Sequence, residues 1–394
     1  MPLSKFQGGI LGVGFNPLQA PNAPTSVTAA GGDASATVTF TAPANVGGSA
    51  ITGYTGRSTP GDVAATASAS PLTFSGLTNG TSYTFNVWAL NSYGPSPAGG
   101  PSGSVTPASI RGLFGGGVTS GGTQSSIQYV SIATTGNSTS FGNLLTTKKQ
   151  LYSCASSTRG IFAGGADVFS AAIQYVTIAS TGNSISFGNL MNAAYGGGSC
   201  SNETRGIFAG GEGDNTQIQY ITIASTGNAT SFGSLPYRNI YLAGCASPTR
   251  GVFAGGFDLD LGVSVNNINY VTIASTGNST DFGDLTLATY YLASCASSTR
   301  GLFAGGIGGS NVISYITIAS TGNAIDFGDL LAANAELAGC SSSTRGLFAG
   351  GDTGSRTNVI QYVTIASAGN AIDFGDLASP LDLLAACSNA HGGL

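Results

Sequence analysis

From residue 21 onward the chain alternates apolar and polar side chains in short runs, and no segment carries the three-to-four spacing of a helix. Residues 359–365 (VIQYVTI) are representative: Ile360, Tyr362 and Thr364 fall on one face of a strand, and Gln361, Val363 and Ile365 on the other. Turn residues (Gly, Asn, Asp, Ser, Pro) interrupt these runs, about every ten residues in the first part. The pattern predicts an all-β protein. In its first part, strands are expected at 27–29, 36–40, 51–56, 72–74 and 83–89, the spacing of a β-sandwich.

The second part is a repeat. Arg-Gly recurs at Arg111, Arg159, Arg205, Arg250, Arg300 and Arg345, at intervals of 45–50 residues. Gly-Asn and Phe-Gly dipeptides recur in step with it, as do the double glycines at Gly164, Gly210, Gly255, Gly305 and Gly350. Each period holds four strands, a to d, which selects a β-propeller over a solenoid. Six periods predict a six-bladed propeller over residues 109–394. The array opens on a strand b (residues 111–114) without its strand a, and ends on a strand a (residues 383–388) without the rest. Pairing of these two pieces would complete a blade and leave no open array edge.

Two resemblances follow from these residues. "LTNGTSYTFNVWALNSYGPSP" and "ATVTFTAP", with Leu77 six residues before Tyr83, resemble a fibronectin type III domain over residues 21–107. That likeness implies a tyrosine corner, in which the Tyr83 hydroxyl is bonded to nearby backbone. Phe40 stands where the family has a core tryptophan. The double glycine closing strand b, with a tyrosine in strand c (Tyr129, Tyr175, Tyr220, Tyr270, Tyr315, Tyr362), resembles the kelch repeat and the central domain of galactose oxidase. Strand d has Phe-Gly where kelch has tryptophan. The near-identical "YVTIASTGN" and "STRGLFAGG" units behind a Gly-rich leader also resemble repeat proteins of marine bacteriophages.

Composition narrows the function. Charged residues are 7% of the chain and the formal net charge is −5, with lysine at Lys5, Lys148 and Lys149 alone. No basic patch exists to neutralise phosphates, which argues against nucleic acid. No apolar run is long enough to insert into a membrane. Met1 to Phe15 is broken by Gly and Gln too early for a signal-peptide core. The six cysteines stand 45–50 residues apart, one per repeat, so they occupy equivalent places too distant for disulfides. They are expected to be small buried hydrophobes. His391, the one histidine, reads as incidental.

No nucleophile–base order, phosphate loop, dinucleotide fingerprint or metal motif appears, and one histidine cannot build the copper site of galactose oxidase. No catalytic residue, cofactor or metal ligand is therefore assigned. Asp pairs such as Asp281/Asp284 exchange with Ser and Asn between repeats, which suggests side-chain bonding within turns.

The a–b and c–d turns scarcely vary between copies, whereas the b–c and d–a connections differ in sequence and length. One face of the propeller is thus uniform and the other diversified, and loops on a rigid frame are where binding evolves. The candidate ligand-binding residues lie in the d–a connections. They are Lys148, Lys149 and Tyr152, then Asn192 and Tyr195, then Tyr237, Arg238, Asn239 and Tyr241. Tyr290 and Tyr291 follow, then Asn334 and Glu336. The b–c connections add Phe169, Glu212, Asp214, Asp258, Asp260 and Arg356.

The expectation is a non-enzymatic virion surface protein of a bacteriophage: a tail fibre, spike or head decoration. Residues 1–20 would dock onto other virion proteins, the fibronectin-like domain would be a spacer, and the propeller would meet a host-surface glycan or protein. A homo-oligomer is compatible with that placement. The alternatives are a secreted bacterial lectin or adhesin, and a purely structural decoration.

Overall fold

The structure is a computed structural model that describes residues 19–213 and 216–394. The proposed docking segment lies outside the described residues except for its last two, and so does Asp214. The chain divides after Ser109 into two compact units. Regular structure among the described residues is β-strand throughout, and no helix is long and apolar enough to cross a membrane.

The first unit has two antiparallel sheets. One joins Thr25–Gly32, Ser35–Thr41 and Leu72–Ser75. The other runs Ala64–Ala67, Gly53–Thr59, Thr84–Asn91, Gly94–Pro95. Alternation puts Val38, Leu72, Phe74, Phe85 and Val87 in one core, each wholly buried. Phe40 packs there against Tyr54 with ring centroids 4.7 Å apart. The Tyr83 hydroxyl accepts a hydrogen bond from the Thr78 N–H at 3.0 Å, the corner expected from Leu77 and Tyr83.

The second unit contains six four-stranded antiparallel sheets, I to VI. In sheet VI the strands are Ala338–Ser341, Arg345–Ala349, Val359–Thr364 and Ile372–Asp376, in that spatial order. Sheets II to V repeat this over residues 152–189, 198–234, 243–284 and 293–329. Sheet I is built from both ends of the unit. Ala385–Ser388 pairs antiparallel with Arg111–Gly115, followed by Ser126–Ser131 and Thr139–Asn143. The first strand of each sheet lies beside the first strand of the next, and that of sheet VI beside that of sheet I.

Alternation within each strand sends side chains to opposite interfaces. Leu347 and Ile360 join the core between sheets VI and I, while Phe348, Val363 and Ile365 join the core between V and VI. The other four interfaces have equivalent cores. The first strand is shorter than the sequence suggested, starting at Ala338 and Ala385 rather than at 337 and 383. The residues before it are drawn into the connection described below.

The recurring motifs prove to be contacts between sheets. Each Arg of Arg-Gly lies over the tyrosine of its own sheet, 4.5–4.8 Å from the ring centroid. It donates to an isoleucine carbonyl of the next sheet at 2.8–3.1 Å, from Arg111 to Ile178 through to Arg345 to Ile132. The following glycine faces the cysteine of the preceding sheet: a Cβ on Gly206 would stand 2.6 Å from Cys154 Sγ. Each Thr-Gly-Asn or Ala-Gly-Asn turn clamps the outer strand of the sheet before it. Its glycine N–H donates to the Phe carbonyl at 2.7–2.9 Å. Its Asn Oδ1 accepts the N–H of the residue after Phe-Gly at 3.0–3.1 Å. Asp284, Asp329 and Asp376 thus supply a backbone N–H where side-chain turn bonding was expected, which explains why Asn and Ser serve equally there.

Candidate functional site

Six backbone-equivalent residues surround one mouth of the space between the first strands: Gln150, Gly196, Tyr241, Tyr291, Glu336 and Leu383. All have positive φ, from 52° to 65°. Each N–H donates to the carbonyl of the preceding member, Gly196 to Gln150 through to Leu383 to Glu336, and Gln150 returns to Leu383, at 2.5–3.0 Å. The left-handed conformation is costly for five of these six residues, which are not glycine. The circle of hydrogen bonds holds it in place.

The side chains on this uniform circle differ. Tyr241 covers the gap left by Gly196 and stacks on Tyr291, with centroids 4.1 Å apart and planes at 25°. Gln150 Nε2 donates across the mouth to the Tyr291 hydroxyl at 2.9 Å. Tyr290 extends the aromatic group toward Phe257, 5.4 Å away. Phe169 and Tyr195 meet edge-on at 5.0 Å between sheets II and III. Burial raises the Tyr291 phenol well above its ordinary value, with Tyr241 and Glu336 adding to the rise and the Gln150 hydrogen bond opposing it.

Glu336 is half-buried, and burial raises its carboxyl above the usual range; Asp382 and Asp352 add to the rise while Arg356 and Lys149 oppose it. Asp382, 3% exposed, is also raised by burial although Arg356 Nε donates to it at 2.7 Å. Lys149 pairs with Asp167 at 3.4 Å.

The structure separates the sequence candidates. Tyr241, Tyr290, Tyr291 and Glu336 come together at or beside the mouth. Tyr195 lies near them and Asn192 is exposed. Tyr237 is half-buried, donates to Asn267 Oδ1 at 3.3 Å, and has its pKa pushed up to about 12 by burial and three nearby aspartates. Arg238 pairs with Asp260 at 3.6 Å. Asp258 Oδ1 caps a turn, accepting from the N–H of Asp260 and of Leu261.

Four candidates are corrected, because their side chains are buried and engaged in holding the fold. Lys148 donates to the Val168 carbonyl at 2.7 Å. Asn239 and Asn334 donate to the carbonyls of Gly255 and Gly350, both at 2.8 Å. Tyr152, 1% exposed, donates to the Gly210 carbonyl at 2.6 Å. It fills the space left by Gly197, which stands where the other sheets have leucine. Sequence reasoning missed Gln150, Gly196 and Leu383. Their signal was a varied residue directly before a near-constant leucine.

The opposite mouth is covered by the tail after Ser388. Asn389 Oδ1 accepts the Arg111 N–H at 2.8 Å. His391 Nε2 sits 3.0 Å from the Ala155 carbonyl and 3.2 Å from Ser201 Oγ. Gly392 lies against the carbonyls of Ala246 and Ser297, and Gly393 against that of Ser201. His391 is therefore a structural residue of this plug rather than incidental, and burial lowers its pKa. All six cysteines are free and buried. Burial raises every thiol, Cys245 and Cys387 to about 12. Among the described residues no three His, Cys, Asp or Glu side chains are placed to hold a metal ion.

Comparison with known families matches the fibronectin type III domain to residues 22–104. That segment is a fibronectin type III domain. Among curated proteins, nothing matched the chain.

Proposed function

We propose that residues 110–394 are a six-bladed, kelch-like β-propeller and that the chain is a non-enzymatic surface protein of a bacteriophage particle, attaching through one propeller mouth to a host-surface glycan or protein. The fold reading is supported by six like sheets whose Arg, Asn and mouth hydrogen bonds each run once around and return to their start. One observation carries the recognition reading. Six positions with the same backbone geometry hold five residue types, while the interfaces beneath repeat one motif. Tyrosine with an amide and a carboxyl on a rigid frame is the chemistry of a binding site, offering flat apolar area with polar tips. The virion placement rests on the low charge, the Gly-rich leader and the three-part layout.

The test is a pull-down of host envelope fractions with the full chain and with a Tyr241→Ala/Tyr290→Ala variant, beside immunogold labelling of purified particles. Binding by the parent chain, reduced at least tenfold in the variant, is expected, with label on particles. Label in culture supernatant alone would favour the secreted adhesin. Label on particles without envelope binding would leave a structural decoration.

A further inference from the structure

The first strands line a space in three tiers. The upper tier is the mouth circle. The middle one is Ser153, Ser199, Gly244, Ser294, Gly339 and Ala386, which borders both an upper cavity of about 140 Å³ and a lower one of about 60 Å³. The lower tier is formed by residues two positions further on, such as Ala155, Ser201 and Ser341, with His391 at its floor. The space is thus a pit: bounded on every side by hydrogen-bonded backbone, floored by the tail, and entered at the varied mouth, where the Gln150–Tyr291 hydrogen bond must part to admit a ligand.

We infer that this pit takes the terminal residue of a glycan chain, a neutral hexose or a hexosamine, and rejects both internal residues and acidic ends; the inference rests on the recognition reading above. A ligand can enter only along the axis, so a chain end fits and a continuous chain does not. The upper cavity, about 140 Å³, has room for about five waters at roughly 30 Å³ each, so it takes part of one sugar ring at a chain end and nothing larger. It is well below the several hundred Å³ usual for larger ligands.

The lining selects among chain ends. The stacked rings of Tyr241 and Tyr291 offer an apolar wall for the C–H face of a sugar. The Gln150 amide and the Glu336 carboxyl offer bonds to its hydroxyls. Deeper, serine hydroxyls already donate to neighbouring carbonyls: Ser199 to Ser153, Ser153 to Ala386, Ser294 to Gly244. Among the described residues no lysine or arginine lines the pit; Lys149 and Arg356 are paired outside it with Asp167 and Asp382. An acidic end would therefore meet the Glu336 carboxyl with no lysine or arginine in the lining to pair with it, since Arg356 and Lys149 act on Glu336 only from outside while bonded to Asp382 and Asp167.

The experiment is fluorescence anisotropy of the full chain with maltohexaose, chitohexaose, mannohexaose and galactohexaose, each labelled at its reducing end. Each is compared with a form blocked at the non-reducing end by a 4,6-ethylidene group and with a sialic-acid-terminated form. At least one free-ended probe is expected to bind, at least tenfold more tightly than its blocked and acidic counterparts, and to lose that binding with Tyr291→Ala. Equal binding of free and blocked probes overturns end recognition and leaves glycan recognition standing. No binding of any probe while the envelope pull-down persists overturns the saccharide assignment alone. Loss of the pull-down as well overturns the recognition reading itself.

Discussion

The fit of each cysteine against the next sheet's glycine can be tested by trading atoms across one interface. Gly206 is an extended strand residue, and a Cβ there would lie 2.6 Å from Cys154 Sγ and 3.2 Å from Ile221 Cγ1. Both neighbours are buried, so Gly206→Ala forces the sulfur aside and should cost about 1–3 kcal/mol by overpacking. Cys154→Ala removes one atom of roughly methyl size and leaves a small void, costing about 1 kcal/mol. In the double variant the new methyl occupies the vacated space, so the pair should cost about 1–2 kcal/mol less than the sum of the singles. The assay is chemical denaturation of the full chain with two probes. Trp88, the one tryptophan, reports the first unit, and tyrosine near-ultraviolet dichroism reports chiefly the second, which holds 12 of the 15 tyrosines. Only the tyrosine transition should move. Strict additivity of the two substitutions would refute the packing argument.

Three other outcomes follow from the same geometry. The buried thiols should resist a thiol-specific disulfide reagent at pH 8 in the native protein, and all six should react once it is unfolded. Arg300→Lys should destabilise the second unit by about 1–3 kcal/mol in denaturant titration, since lysine cannot both lie over Tyr315 and bond the carbonyls of Ile365 and Ala366. The carboxyl of Glu336 is raised in the fold, so its contribution to stability is present at low pH and lost as pH rises through its folded value. Glu336→Gln should therefore raise the melting temperature at pH 7 and leave it unchanged near pH 3, as calorimetry would show.

Much of this architecture is legible in the sequence because it is local. Alternation in 359–365 fixes which residues face which interface, and the double glycines mark positions of positive φ such as Gly350 at 64° and Gly351 at 99°. What escapes is pairing between repeats. Gly197 alone reads as a lost leucine, and Tyr152 alone as an exposed loop aromatic. Only the neighbouring sheet makes them one compensated pair. Lys148, Asn239 and Asn334 mislead for a related reason. Variation between copies marks a connection as free to change, but not which of its side chains turn inward to bond the backbone. The tail is likewise opaque. Nothing in "SNAHGGL" shows that it crosses four sheets, because its partners are chiefly backbone N–H and carbonyl groups, which nearly every residue carries.

The proposed recognition resides at the varied mouth, over a frame held by the repeated motifs. The most direct measurement is amide hydrogen exchange of the full chain with and without host envelope extract. Protection confined to Gln150, Gly196, Tyr241, Tyr291, Glu336 and Leu383 and the connections beside them is the predicted result. Protection centred on the Thr-Gly-Asn and Ser-Thr-Arg-Gly turns of the opposite face would contradict it.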